Sequence, residues 1–197
     1  ALSGPYPRPV IIEMGGKNPS YVTASADLDV AAEGVMRSAF GLQGQKCSSG
    51  SKVYVARAVY DDFMRRLVER TAALKIAPPL QPDVFMGPVI DENAATRYRK
   101  ACEEAGRDGK IRFGGTRLSG GVHDGGAYLQ PTIVEGLAPG HRLNKDELFL
   151  PFLSVQPYDR LEDAIADGND VLYGLTAGAY ATDEAELELF LDRAEAG

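Results

Sequence analysis

The sequence has few of the residues that build disulfide frameworks and metal centres. Its 197 residues include only two cysteines, Cys47 and Cys102, and two histidines, His123 and His141. Two cysteines are too few for a disulfide framework, and no Cys-x-x-Cys pair is present to hold a metal. We therefore expect a protein of a reducing compartment, the cytoplasm, without a metal site.

Long apolar runs and an excess of basic residues are also missing. No apolar run reaches the roughly 20 residues that a membrane-spanning helix needs. The formal net charge is −7, which argues against nucleic acid or an anionic membrane as the main partner. A bound dinucleotide is not excluded, because backbone amides and helix ends rather than net charge hold it.

The sequence contains no dinucleotide-binding fingerprint. The pairs Gly114-Gly115 and Gly120-Gly121 do not lead from a strand into a helix in the Gly-x-Gly-x-x-Gly pattern. The chain begins without methionine or a signal-peptide pattern, and it ends inside a helical pattern at Gly197. We therefore expect both ends to be cuts in a longer protein.

Strand and helix patterns alternate along the chain. Apolar and β-branched runs predict strands at residues 9–14, 21–22, 52–56, 111–113, 128–134, 149–157 and 176–181. Amphipathic patterns predict helices at residues 27–40, 59–75, 91–106, 161–167 and from 183 onward, the first and last with aspartate N-caps. This alternation predicts an α/β layer fold with a largely parallel sheet.

Cys47 is the strongest candidate for a catalytic side chain. It lies in the run Gly44-Gln45-Lys46-Cys47-Ser48-Ser49, whose small and polar residues argue against the alternative of a buried structural cysteine. We predict that a helix starts just after Cys47, where backbone N–H groups and the helix dipole would lower the thiol pKa. Cys102 lies on a predicted polar surface helix beside Glu103 and Glu104, whose charges would raise its pKa, so we expect it to be inert.

Glu13 is the candidate for a catalytic carboxylate. It ends the predicted strand at residues 9–14 and precedes Gly15-Gly16, which would let a ligand approach the backbone closely. A carboxylate at the end of a buried strand is costly unless it is paired or functional, and a functional one can activate water. A capping role, or an ion pair with Lys17, is equally compatible with the sequence.

Four motifs in a fixed order resemble those of the aldehyde dehydrogenase superfamily. They are Glu13-Met14-Gly15-Gly16-Lys17-Asn18-Pro19, Gly44-Gln45-Lys46-Cys47, Glu147-Leu148-Phe149 followed by Pro151, and Asn169 with Tyr173-Gly174-Leu175-Thr176-Ala177-Gly178. The third, taken by itself, is simply a loop entering a strand. Residues 38–40, 44–48 and 52–55 are most similar to the 1-pyrroline-5-carboxylate (glutamate semialdehyde) dehydrogenase branch.

The resemblance implies a three-layer α/β/α catalytic domain and an oxidation of an aldehyde to a carboxylate. Cys47 would attack the aldehyde, hydride would pass to NAD or NADP, and Glu13 would activate the water that hydrolyses the thioester. The Cys47 backbone N–H would be an oxyanion donor, and Ser48 would contact the substrate.

The resemblance also implies how the chain would meet its cofactor. Glu147 would hold the nicotinamide ribose, Phe149 would contact the nicotinamide, and Met14 and Gly15 would approach the carboxamide. Two residues depart from the family pattern: Leu150 replaces the usual glycine and is expected to crowd the cofactor side or shift Phe149, and Lys52 replaces a common arginine. Ser49-Gly50 is a third departure, at a stretch that usually contains alanine.

The resemblance covers only a catalytic domain, which we assign to residues 1–197. The family's N-terminal dinucleotide-binding domain, which makes most cofactor contacts, and its C-terminal tail do not match any part of the sequence. We therefore expect the chain alone to be an incompetent dehydrogenase and the parent protein to be a homo-oligomer acting on a small-molecule aldehyde.

Three alternatives remain open from the sequence. An acylating relative would pass the thioester to coenzyme A or phosphate, but Glu13 favours water because only hydrolysis needs a base there. A non-catalytic protein that retains the fold would have an unreactive Cys47. A thiol hydrolase would need a histidine partner, for which His123 and His141 are poor candidates.

Overall fold

A six-stranded sheet organises the protein in the computed structural model, which describes residues 9–197. The sheet has the order β3-β4-β5-β2-β1-β6, with strands β1 Asn18–Val22, β2 Gly50–Ala56, β3 Lys110–Phe113, β4 Thr132–Glu135, β5 Phe152–Tyr158 and β6 Gly178–Tyr180. β3 pairs antiparallel with β4, and the other neighbouring strands pair in parallel. The predicted α/β fold with a largely parallel sheet is confirmed.

Six α-helices connect the strands of the described chain. They are α1 Leu28–Phe40, α2 Tyr60–Ala72, α3 Glu92–Asp108, α4 Arg142–Lys145, α5 Leu161–Asn169 and α6 Glu184–Arg193. Asp27 accepts hydrogen bonds from the backbone N–H groups of Asp29 and Val30, and Asp183 does the same for Ala185 and Glu186. These caps satisfy donors that the first helical turn leaves unpaired, and they confirm the predicted helix starts.

The sheet separates two helical layers. On one face α1 and α2 bury Val35 and Phe63 against Val53 of β2 in the largest apolar cluster. On the other face α5 packs on Tyr21 and Tyr54, whose rings stack with centroids 5.3 Å apart. Because side chains alternate across a strand, neighbouring β2 residues supply both layers, and the predicted α/β/α arrangement is confirmed.

The strand predicted at residues 9–14 is wrong. This segment has no regular secondary structure, and Val10, Ile11 and Ile12 are 61%, 88% and 68% exposed. The first strand begins only at Asn18. β-branched residues favour a strand only when a neighbouring strand pairs with them, and no strand of the described chain does so here.

Helix α3 is more buried than its polar sequence predicts. One face of the helix carries small side chains that pack inward together with Tyr98 and Cys102, and the charged residues lie outside this buried face. Burial raises the pKa of the Cys102 thiol, and Glu103 makes a smaller contribution in the same direction. The prediction that the pKa of Cys102 is raised is therefore right, but the main cause is desolvation rather than the neighbouring carboxylates.

No helix within residues 9–197 is both long enough and apolar enough to cross a membrane. The predicted absence of a signal-peptide pattern concerns residues 1–8, which lie outside the described part of the chain.

Candidate active site

Cys47 lies exposed in a tight turn that leads directly into β2. The Ser49 N–H donates to the Lys46 carbonyl oxygen at 3.1 Å and closes the turn around the thiol. The helix predicted just after Cys47 is therefore wrong, and no helix dipole acts on the thiol from that side. Small polar residues suit a turn as well as a helix start, so the sequence pattern could not distinguish them.

Asn18, the first residue of β1, binds this turn through its side chain. Its side-chain Nδ2 donates to the carbonyl oxygens of Cys47 and Ser49, both at 2.8 Å. Its Oδ1 accepts the backbone N–H of Thr176 at 3.1 Å. One buried amide therefore joins the first, the second and the fourth of the four motifs. Asn18 belongs to the first of the four motifs, but the sequence indicates no role for it.

Gly16 lies directly against the Cys47 turn. A Cβ atom at Gly16 would fall 2.3 Å from the Cys47 carbonyl oxygen, a distance that real Cβ contacts do not show. The same atom would fall 2.6 Å from Nδ2 of Asn18. The glycine is thus needed for close approach of two backbones rather than for an unusual φ angle.

Glu147 brings the third motif to the same place. Its Oε1 accepts the Gly16 N–H at 2.9 Å, and its Oε2 would lie 2.3 Å from a Cβ atom at Gly15. The two glycines therefore hold the Cys47 turn on one side and the Glu147 carboxylate on the other. The sequence pattern alone favoured a loop entering a strand, and it gave no sign of this contact.

The remaining predicted site residues are open to solvent. Glu13, Met14 and Ser48 are exposed, and Phe149 is 39% exposed. Among residues 9–197, the Glu13 carboxylate takes part in no hydrogen bond or ion pair, so the alternative of an ion pair with Lys17 is not formed. Phe149 has φ 58°, the left-handed conformation that non-glycine residues seldom adopt.

Lys17, which follows Gly16, is buried, and the sequence analysis did not predict this. Its side chain is 1% exposed, and its Nζ has no hydrogen-bond partner among the described residues. Burial lowers the pKa of Lys17 to about 7, with a further lowering by Lys52 that Asp146 and Glu147 oppose. A lysine next to two glycines suggests a flexible surface residue, so nothing in its local sequence indicates this burial.

The Leu150 side chain does not reach the exposed surface of the site. Its side chain is buried in the cluster that contains Leu143 and Phe152. Its carbonyl oxygen faces Gly44, where a Cβ atom would lie only 2.2 Å away. Lys52, a second departure, is buried and donates to the Asp167 carbonyl oxygen at 3.3 Å.

One cluster of side chains in the described chain has the composition of a metal site. Glu104, Asp108 and His141 place their ligand atoms within 4.8 Å of one another. His141 Nδ1, however, accepts the Leu143 N–H at 3.2 Å, so the proton of the neutral ring is on Nε2, which faces Asp108 at 3.2 Å. A metal at Nε2 would have to displace that proton and break the cap of α4. The two carboxylates are instead ion-paired to arginines, Glu104 to Arg142 and Asp108 to Arg107.

Comparison with known proteins identifies the family. Residues 3–197 match the sequence model of the aldehyde dehydrogenase family. The chain belongs to this family. It is 42% identical over 190 residues to 2,5-dioxopentanoate dehydrogenase of Saccharolobus solfataricus, an alignment that covers 94% of this chain and 38% of that protein. It is 36% identical over 179 residues to 1-pyrroline-5-carboxylate dehydrogenase 2 of Halalkalibacterium halodurans, covering 91% and 34% of the two chains.

Solved aldehyde dehydrogenase structures have the same fold. A 1-pyrroline-5-carboxylate dehydrogenase from Thermus with bound NAD superposes with a TM-score of 0.87 at 32% identity, over 94% of this chain and 35% of that one. A 3,6-anhydro-L-galactose dehydrogenase in complex with NAP gives 0.90 at 32% identity, over 94% and 39%. The resemblance seen in the four motifs is confirmed, and the chain spans 34–39% of the length of these four relatives.

Proposed function

We propose that the chain is the catalytic portion of an NAD(P)-dependent aldehyde dehydrogenase that oxidises an aldehyde to a carboxylate through Cys47. The observation that carries this proposal is the meeting of the Cys47 turn and Glu147 on either side of Gly15-Gly16. Three chain segments far apart in sequence converge there on an exposed thiol. Membership of the aldehyde dehydrogenase family supports the reaction class.

Cys47 supplies the nucleophile of the first half-reaction. Its sulfur adds to the carbonyl carbon of the aldehyde, and the resulting oxyanion takes a hydrogen bond from a backbone N–H of the turn. NAD(P)⁺, when bound, would supply the acceptor for the hydride that leaves this carbon. The carbon is thereby oxidised to a thioester of Cys47, and the former aldehyde oxygen becomes its carbonyl oxygen.

Glu13 serves as the general base of the second half-reaction. The carboxylate is exposed and takes part in no hydrogen bond within residues 9–197, so its oxygens are free to accept a proton from water. The hydroxide so formed adds to the thioester carbon, the Cys47 thiolate leaves, and the carboxylic acid is released. A hydrolytic route is favoured over transfer to coenzyme A or phosphate because transfer does not need this base.

The residues around Glu147 fit a nicotinamide cofactor. Its Oε1 is held by the Gly16 N–H, and its Oε2 accepts no hydrogen bond among the described residues. The absence of a Cβ at Gly15 leaves room for this carboxylate, which is well suited to accept ribose hydroxyl groups. The family resemblance assigns the contact with the nicotinamide to Phe149, Met14 and the Gly15 backbone, and Phe149 and Met14 are exposed.

The proposed substrate is L-glutamate γ-semialdehyde or a close analogue. Relatives of this chain are named for 1-pyrroline-5-carboxylate, for 2,5-dioxopentanoate and for α-ketoglutaric semialdehyde. The last two names denote one compound, and both this compound and the open form of the first are semialdehydes with a carboxylate at the far end. A short aldehyde carrying a distant carboxylate is therefore the class of substrate that we propose.

Single-residue variants of the full-length protein test this function by formation of reduced cofactor with glutamate γ-semialdehyde. Cys47→Ala is expected to abolish turnover, whereas the matched variant Cys102→Ala keeps it because Cys102 is buried in α3. Glu13→Gln is expected to slow turnover by about 10²–10⁴-fold. It should still release one equivalent of reduced cofactor and leave a thioester on Cys47 that mass spectrometry detects.

Two outcomes would contradict the proposal. Activity that survives Cys47→Ala would exclude a covalent role for this thiol. Turnover of the wild-type protein that requires added coenzyme A or phosphate would replace hydrolysis by acyl transfer.

A further inference from the structure

Asn18 uses every hydrogen-bonding group of its side chain at the candidate site. Both hydrogens of Nδ2 are donated, one to the carbonyl oxygen of Cys47 and one to that of Ser49, and Oδ1 accepts the Thr176 N–H. The side chain is buried, with the residue 3% exposed. An aspartate has no donor here and a serine has only one, so among residues of this size only asparagine supplies the whole set.

These bonds fix the peptide planes on both sides of the nucleophile. The Cys47 carbonyl is held by Asn18, and because the peptide unit is planar and trans, the Ser48 N–H must point the opposite way. The Lys46 carbonyl is held by the Ser49 N–H, which orients the N–H of Cys47 in the same manner. Both dihedral angles of Cys47 are therefore restrained, one by the bond from Asn18 and one by the bond from the N–H of Ser49, whose carbonyl oxygen Asn18 also holds.

The surrounding backbone is shaped to accept the Asn18 amide. A Cβ atom at Gly16 would fall 2.6 Å from Nδ2 and 2.7 Å from Oδ1, so the side chain occupies the space that this glycine leaves open. The Thr176 bond connects the same amide to the segment that precedes β6. The amide thus joins its own segment to two others, whose bonded residues lie 29 and 158 positions away in sequence.

We propose that Asn18 is a positioning residue that orients the thiol and backbone N–H of Cys47 for attack and links this turn to the segment at Thr176. This inference rests on the proposed function of Cys47. Asn18 itself lies behind the turn and touches no reacting atom. Losing its donors would release the Cys47 peptide, and a displacement of about 1 Å at a reacting group can lower the rate by about 10²-fold.

The test uses Asn18→Asp and Asn18→Ser in the full-length protein, with Asn144→Asp as the matched control. Asn144 is also buried, and its Nδ2 donates to the Ala138 carbonyl oxygen at 2.8 Å. Each variant is measured for kcat, for KM of the aldehyde, and for the rate of Cys47 alkylation by iodoacetamide with Cys102 as an internal reference. Thermal unfolding shows how much stability each variant has lost.

We expect Asn18→Asp to lower kcat by about 10²-fold with little change in KM, and to slow alkylation of Cys47. Asn18→Ser keeps one donor and should fall between Asp and wild type; it carries the test alone if the aspartate variant does not fold. Asn144→Asp should lose stability while kcat and the alkylation rate stay near wild type.

Folded Asn18 variants with wild-type kcat and alkylation rate would overturn the inference, as would equal losses in Asn144→Asp at equal stability. These results differ from a failure of the proposed function itself. That failure would appear in the wild-type protein, as a Cys47 that reacts no faster than Cys102 or as activity that survives Cys47→Ala.

Discussion

At the scale of single residues, Gly16 is a position in the site that has no space for a side chain. A methyl group there would meet the backbone oxygen of Cys47, which cannot rotate away as a flexible side chain would. The Cys47 turn must therefore shift, and overpacking of this kind costs about 1–3 kcal/mol. We expect Gly16→Ala to lower the free energy of unfolding in chemical denaturation and to slow alkylation of Cys47.

Gly140→Ala is the matched control for this prediction. No heavy atom lies within 4 Å of a Cβ built at Gly140, and its φ is not in the left-handed region. Equal behaviour of the two alanine variants would show that the Gly16 contact carries no strain.

Lys17 gives a residue-scale prediction about pH. Its pKa is lowered from 10.5 to about 7 by burial, so between these values the unfolded chain binds a proton that the folded chain does not. The free energy of unfolding therefore rises with pH across this window, by at most about 1.4 kcal/mol per pH unit for one proton. Below pH 7 the cost of the buried charge is complete.

The measurement compares Lys17→Met with wild type in urea unfolding at several pH values. We expect the methionine variant to be more stable, with a difference that is greatest at pH 7 and below and shrinks as the pH rises towards 10.5. The exposed Lys100 supplies the control Lys100→Met, for which the difference should not vary with pH. A pH-independent gain for Lys17→Met would mean that the amine is not desolvated.

The sequence identified the residues whose chemistry is local and missed those that act through distant contacts. Cys47 stood out by its polar neighbours, and Glu147 and Gly15 came from the family motifs. Asn18 bonds to groups 29, 31 and 158 residues away, and no local pattern records such distances. The burial of Lys17 was missed for the same reason, because it results from packing against segments that follow much later in the chain.

At the scale of secondary structure elements, the features fixed by neighbouring residues were predictable. The cap at Asp27 is an example, because its carboxylate bonds the N–H groups of residues two and three positions later. The wrong strand at residues 9–14 and the wrong helix after Cys47 both required tertiary information. A strand needs a partner, and a turn in place of a helix depends here on the bonds from Asn18.

The cap of α1 leads to an element-scale prediction. Asp27→Ala removes the acceptor for two N–H groups of the first turn and should cost about 1 kcal/mol of stability. Asp27→Asn should restore most of it, since asparagine caps helices as well as aspartate. Thermal unfolding checks both variants; an alanine variant as stable as wild type would show that water replaces the cap without cost.

At the scale of the whole molecule, residues within 9–197 already supply several contacts that hold the Cys47 turn. Asn18, Gly16 and Ser49 all lie in the described residues, and their partners do as well. In contrast, Glu13, Met14 and Phe149 present exposed side chains, and the chain spans 38% of the length of its Saccharolobus relative. The reactivity of the Cys47 thiol should therefore depend little on the rest of the protein, whereas the complete oxidation reaction should require it.

We expect Cys47 of the 197-residue chain alone to be alkylated nearly as fast as in the full-length protein. The chain alone should nevertheless oxidise no aldehyde with NAD(P)⁺. Iodoacetamide labelling read by mass spectrometry, with the buried Cys102 as reference, measures the first property, and formation of reduced cofactor measures the second. Slow labelling in the chain but fast labelling in the full-length protein would mean that other segments activate the thiol. Sustained aldehyde oxidation by the chain alone would show instead that these residues suffice to bind the cofactor productively.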